Sequence, residues 1–127
     1  MASPRNTSIL FAILSACGLA GEPMPSVSVE DLNAKMAAEK EIVLLDVRTP
    51  QEFASGHVPG AQSIPLSSLS TRIDELSVDQ ATPVYLICQS GGRSARATNI
   101  LRKKGYTAIN VSGGTSAWNA SGFPIDR

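Results

Sequence analysis

A thiol, two glycines and a guanidinium fall within one short run, Cys88-Gln89-Ser90-Gly91-Gly92-Arg93-Ser94. The run follows an uninterrupted apolar stretch, Val84 to Ile87, which reads as a buried strand, and it precedes a strongly helical segment. The seven residues therefore form a tight loop from strand end to helix N-terminus. The two glycines let the backbone curl so that successive N–H groups point inward as an anion nest. The helix dipole adds partial positive charge at the same point, and Arg93 adds a permanent one. Each feature favours thiolate over thiol at Cys88. A thiolate ringed by N–H donors can attack an electrophilic atom and then hold the covalent product. No histidine sits close in sequence to act as a base, and a preformed thiolate needs none.

The elements that position this loop alternate between strand and helix. Ser28, with Asp31 three residues later, starts a helix whose apolar stripe is Leu32, Met36 and Ala37. Ile42 to Leu45 is a continuous apolar run ending at Asp46, the pattern of a strand buried on both faces. Thr49-Pro50-Gln51-Glu52 is a capping box with proline at the first helical position, and Gly56 and Pro59-Gly60 end the short helix it opens. Ala61 to Ile64 predicts a short strand, and Leu69 to Leu76 a weak helix. After Gly92, Ala97, Ile100 and Leu101 share one helical face, Arg102, Lys103 and Lys104 occupy the last turn, and Gly105 terminates it. Thr107 to Val111 is a further strand, and Gly113-Gly114 opens a final helix carrying Trp118. This alternation predicts an α/β domain with a mostly parallel sheet, and ligands of such sheets bind beyond the carboxyl ends of strands, where Cys88 falls.

Composition bounds the chemistry. Of 127 residues, 43% are hydrophobic and 17% charged, too apolar for a disordered chain. Eleven basic residues balance eleven acidic ones, so there is no basic excess for nucleic acid. Two cysteines and one histidine cannot supply a zinc-finger or iron–sulfur ligand set, and nothing near the Cys88 loop supplies a metal site. The charge is unevenly spread: residues 1–80 hold ten acids and five bases, whereas Arg93, Arg96, Arg102, Lys103, Lys104 and Arg127 face a single acid, Asp126, from Ala81 onward. A small anion would be drawn to that end of the chain.

Residues 1–20 stand apart from the domain at 21–127. A polar leader with one base, Arg5, precedes the apolar stretch Ile9 to Ala20 and resembles an export signal. Within it Leu14-Ser15-Ala16-Cys17 is similar to a bacterial lipobox, which would make Cys17 a lipid anchor, the one membrane attachment expected. A cut after Ala20 is the competing reading, and an ordinary N-terminal helix or tail a third. Export implies the bacterial periplasm or cell envelope; if residues 1–20 are not an export signal, the cytoplasm is implied. With Cys17 lipidated or removed, Cys88 is the only thiol left and has no internal disulfide partner.

The loop and its surroundings resemble a single-domain rhodanese, a sulfurtransferase. The family's active loop is a cysteine, four residues and then often arginine, as in Cys88 to Arg93. Asp46-Val47-Arg48, Glu52-Phe53, Gly56-His57-Val58-Pro59-Gly60-Ala61 and Ile64-Pro65 are similar to its N-terminal signature, and Gly113-Gly114, Trp118 and Gly122-Phe123-Pro124 to its C-terminal one. The resemblance implies a three-layer α/β fold with about five mostly parallel strands flanked by helices. It implies that Cys88 takes sulfane sulfur from a small anionic donor such as thiosulfate, carries it as a persulfide and passes it to cyanide, a thiol or a protein acceptor. Gln89, Ser90, Gly91, Gly92, Arg93 and Ser94 would bind the donor and the terminal sulfur, with Arg48 as a further candidate.

Other residues have structural readings. Asp46 and Arg48 either line the pocket or fix the loop by hydrogen bonds. His57 suits a turn-stabilising hydrogen bond, Glu52 the cap of Thr49, and Trp118 the core. Two other functions compete. Phosphatases and arsenate reductases of the related fold space cysteine and arginine by five residues, which would need arginine where Ser94 stands. A sulfur-carrier or redox-sensing module would use Cys88 with little turnover.

Overall fold

The computed structural model describes residues 23–39 and 41–127. The leader and lipobox assigned to residues 1–20 lie outside the described residues. Five parallel strands form one sheet in the order β1-β5-β4-β2-β3, with β1 Ser26–Val27, β2 Val43–Asp46, β3 Gln62–Ser63, β4 Pro83–Ile87 and β5 Thr107–Val111. The helices are α1 Val29–Ala38, α2 Pro50–Ser55, α3 Leu69–Arg72, α4 Gly92–Lys103 and α5 Gly114–Ala120. The mostly parallel sheet expected from the alternation is thus fully parallel.

Side-chain alternation along the central strand assigns the layers. Val84 and Leu86 point to the face covered by α3 and α4, with Leu45, Leu69, Ala97 and Leu101. Tyr85 and Ile87 point to the opposite face, with Leu32, Leu44, Val58 and Trp118. Cys88 continues the Val84–Leu86 face, so the period of two delivers its side chain beneath the start of α4. The strand order reverses between β2 and β4: β3 lies outside β2, and β5 lies on the far side of β4. The crevice of a doubly wound sheet opens at that reversal, beyond the ends of β2 and β4, where Val47-Arg48 and Cys88 emerge.

Local chemistry agrees with the expected boundaries in most places. Ser28 Oγ caps α1 by accepting from Asp31 N at 3.0 Å, and Thr49 and Glu52 complete a reciprocal capping box on α2. Gly105, at φ +93°, closes α4, with Tyr106 N donating to Leu101 O at 3.0 Å. The predicted helix 69–76 is broken, with α3 confined to Leu69–Arg72 between 3₁₀ turns at Leu66–Ser68 and Ile73–Leu76. The two-residue edge strand β1 carries no pattern a sequence reading could find. It is held by Asn110 N donating to Pro25 O and Ser112 N to Val27 O, at 2.9 and 2.8 Å.

Candidate active site

The Cys88 side chain is only 1% exposed and belongs to the apolar cluster under α4. Burial alone would describe an inert core thiol; its polar neighbours decide otherwise. Gly91 N donates to Cys88 Sγ at 3.1 Å, and the Ser94 hydroxyl lies 3.4 Å from it. Gly91 makes this possible as the N-cap of α4, at φ +111°, a left-handed turn that a side chain would strain. Burial pushes the thiol up. The Ser94 hydroxyl and the amides of Ser94, Gly91 and Ser90 outweigh that and hold Cys88 below the ordinary thiol value of 9.0.

The second glycine pair fixes the orientation of this nest. Thr115 N donates to Cys88 O at 2.8 Å, Thr115 Oγ1 to the same oxygen at 3.1 Å, and Ser116 N to Gln89 O at 3.0 Å. The N-terminus of α5 thus draws two loop carbonyls to its own side. In a trans peptide the N–H points opposite to the carbonyl, so the Gln89 and Ser90 amides are turned the other way, toward the concave side. Gly114 permits the approach: at φ +58°, a Cβ there would stand 2.5 Å from Cys88 O and 2.6 Å from the Gln89 carbonyl carbon.

Ser94 is fully buried and its hydroxyl has one proton for three acceptors: Asn110 Oδ1 at 2.6 Å, Gly91 O at 3.2 Å and Cys88 Sγ at 3.4 Å. The amide donors to sulfur are therefore permanent, and the hydroxyl is an adjustable one. Ser94→Ala is expected to move the pH midpoint of Cys88 alkylation upward while leaving a folded protein. An unchanged midpoint, read by iodoacetamide labelling across pH, would leave the nest to the amides alone.

The two arginines are both engaged by carboxylates. Arg48 is 3% exposed and grips the fully buried Asp46, with Nη2 to Oδ2 at 2.8 Å and Nε to Oδ1 at 3.0 Å. Its remaining donors reach Gly56 O at 2.7 Å and Gln89 Oε1 at 3.2 Å. Gln89 in turn donates Nε2 to Ser116 Oγ at 2.8 Å. Arg48 so ties the end of β2 to the nucleophile loop, and removing one partner of a buried pair of this kind costs about 3–5 kcal/mol.

Arg93 reaches across to α2 instead. Its Nη1 and Nη2 meet Glu52 Oε1 and Oε2 at 2.8 and 3.0 Å. Arg93 and the Thr49 amide lower the Glu52 carboxyl from 4.5 to about 2. A depressed carboxyl stabilises the fold fully above its unfolded value and loses that contribution as pH falls through the folded one. The Tm difference between wild type and Glu52→Gln is therefore expected to be constant above about pH 4.5 and to vanish by about pH 2. The pair is one-third exposed, so the difference itself is small.

The remaining candidates occupy structural positions. His57 Nδ1 lies 2.8 Å from Phe53 O, its ring stacks on Phe53 at 3.7 Å, and its backbone pairs with Asp126. Trp118 is 1% exposed, with Nε1 donating to Pro124 O at 2.7 Å. Gly92 and Ser90 complete the turn into α4. Among the described residues no group of His, Cys, Asp or Glu is arranged to hold a metal ion. Sequence reasoning missed Asn110, Gly114 and Thr115 as supports of the nucleophile, and Glu52 as the partner of Arg93. A polar Asn110 inside the apolar strand Thr107–Val111 was the one visible signal.

The sequence matches the Rhodanese-like domain family over residues 28–121. It is 35% identical over 100 residues to a protein named Sulfurtransferase from Allochromatium vinosum, covering 78% of this chain and 92% of that one. It is 48% identical over 83 residues to the uncharacterized protein YqhL of Bacillus subtilis, covering 65% of this chain and 64% of that one. Among solved structures, a rhodanese-like domain protein from Staphylococcus aureus superposes with a TM-score of 0.73 at 33% identity, over 82% of this chain and all of that one. A human single-domain sulfurtransferase does so with a TM-score of 0.66 at 31% identity, over 77% of this chain and 97% of that one.

Proposed function

The chain belongs to the rhodanese-like family, a kinship of sulfurtransferases, and from that premise we propose that Cys88 relays sulfane sulfur between a small anionic donor and a thiophilic acceptor. The Cys88 thiolate attacks the outer sulfur of thiosulfate, the S–S bond of the donor breaks, and sulfite departs with the bonding electrons. Cys88 is left as a persulfide. Cyanide, a small thiol or a protein thiol then takes the outer sulfur and returns Cys88 to the thiolate. The cysteine carries the sulfur itself, so the reading requires no cofactor.

The observation that carries this reading is the contact from Gly91 N–H to Cys88 Sγ, in a loop whose neighbouring carbonyls are drawn away by α5. Donors fixed before the reaction favour the charge that forms on the outer sulfur, as an oxyanion hole does for oxygen. Arg48 and Arg93 support the site as positioning residues, because Asp46 and Glu52 already hold their donors. The spacing that sets Ser94 where a phosphatase loop would need arginine disfavours hydrolysis of phosphate esters. With residues 1–20 read as an export leader, the reaction would take place in the cell envelope.

Thiocyanate formation from thiosulfate and cyanide, measured beside hydrolysis of an aryl phosphate, tests the proposal. Sulfur transfer without phosphatase activity is expected. Phosphate hydrolysis without sulfur transfer would overturn it.

A further inference from the structure

Beside the nucleophile loop lies a cleft of about 410 Å³. Arg93, Arg96 and Ile100 form one wall, following the i, i+3, i+7 stripe of α4, and Val47, Arg48 and Leu66 stand opposite. That space is far larger than one sulfur atom requires and falls within the range of small-ligand sites, about 300–1,000 Å³. Three guanidinium groups border it, but two are neutralised: Arg48 by Asp46 and Arg93 by Glu52. Arg96 is exposed and has no carboxylate within ion-pair distance among the described residues. The uncompensated charge of the cleft is therefore at Arg96, one helical turn beyond the residue the loop pattern singles out. Apolar surface from Leu66 and Ile100 lies beside it.

We infer that this cleft receives the sulfur acceptor, a thiol bearing a carboxylate on an apolar stem, with Arg96 binding the carboxylate. The inference rests on the sulfur-transfer reading above and deepens it by naming the acceptor class. The acceptor thiol gives its proton to solvent, and the resulting thiolate attacks the outer sulfur of the Cys88 persulfide. A new S–S bond forms on the acceptor as the bond from that sulfur to Cys88 Sγ breaks, its electron pair returning to Cys88 as thiolate. The product is the acceptor persulfide. The exchange is internal to the sulfur atoms and needs no outside oxidant.

The test separates loading from unloading. Cys88 is first loaded with thiosulfate, and the added sulfur is confirmed by mass. Single-turnover unloading is then followed with mercaptohexanoate and with mercaptohexanol at equal thiolate concentration. Wild type is expected to prefer the carboxylate. Arg96→Gln should lose about three- to tenfold in rate with mercaptohexanoate alone, Arg96→Lys should keep most of the preference, and added salt should erode it. Equal loss with both thiols, or no loss with either, on a normally loaded enzyme would overturn this inference alone. Failure of Cys88 to load would overturn the sulfur-transfer reading and this inference with it.

Discussion

Replacing Cys88 by serine is expected to abolish sulfur transfer while the fold persists. An alcohol is not ionised near neutral pH by a nest that lowers a thiol, and an oxygen cannot carry sulfane sulfur through the same cycle. Removing a covalent nucleophile typically costs several powers of ten, so turnover on the order of 10³-fold below wild type, or less, is expected. The stability change should be modest, because the shorter hydroxyl still has Gly91 N–H and Ser94 beside it. Thiocyanate assays beside thermal melts distinguish the two effects. Activity near wild type in a folded Cys88→Ser protein would remove the mechanism.

The second large effect is expected from a residue that touches no substrate. Gly114→Val places a Cβ 2.5 Å from Cys88 O and 2.6 Å from Gln89 O, at a φ of +58° that β-branched residues rarely adopt. Backbone strain of about 1–3 kcal/mol and overpacking of about 1–3 kcal/mol act together, so a loss of about 2–6 kcal/mol is expected. Relief requires the loop to retreat from α5, which breaks the bonds from Thr115 and Ser116 and releases the Cys88 and Gln89 carbonyls. The Cys88 alkylation midpoint should then rise toward that of an ordinary thiol. Gly92→Ala is the control for stability, since a Cβ there meets nothing within 4 Å. A Gly114→Val protein with wild-type melting and alkylation would show that α5 does not hold the nest.

The loop itself was legible because its chemistry is consecutive in sequence. An apolar run, a cysteine, two glycines and a helix define a nest by local rules, and the period of two in β4 decides which face receives the thiol. The same locality made the α2 capping box and the Gly105 terminus readable. What sequence could not show is what arrives from elsewhere. Glu52 reads completely as the cap of Thr49, and nothing nearby announces that Arg93, 41 positions away, will take both of its oxygens. Gly113-Gly114 reads as the opening of the last helix, although its consequence is a close approach to a loop 25 residues earlier in the chain. Strand β1 is two residues long and depends on β5 rather than on its own side chains. Burial of Cys88 and activation of Cys88 are opposite expectations from composition alone, and the structure combines them: an apolar floor beneath the sulfur and donors at its rim.

The central claim is that this cradled thiolate accepts one sulfur atom. Thiosulfate treatment of the full chain, followed by peptide mass spectrometry under non-reducing conditions, tests it most directly. The expected result is a single added sulfur on the peptide containing Cys88, removed by cyanide and absent from Cys88→Ser. A Cys88 peptide of unchanged mass, with the protein folded and the donor in excess, would contradict it.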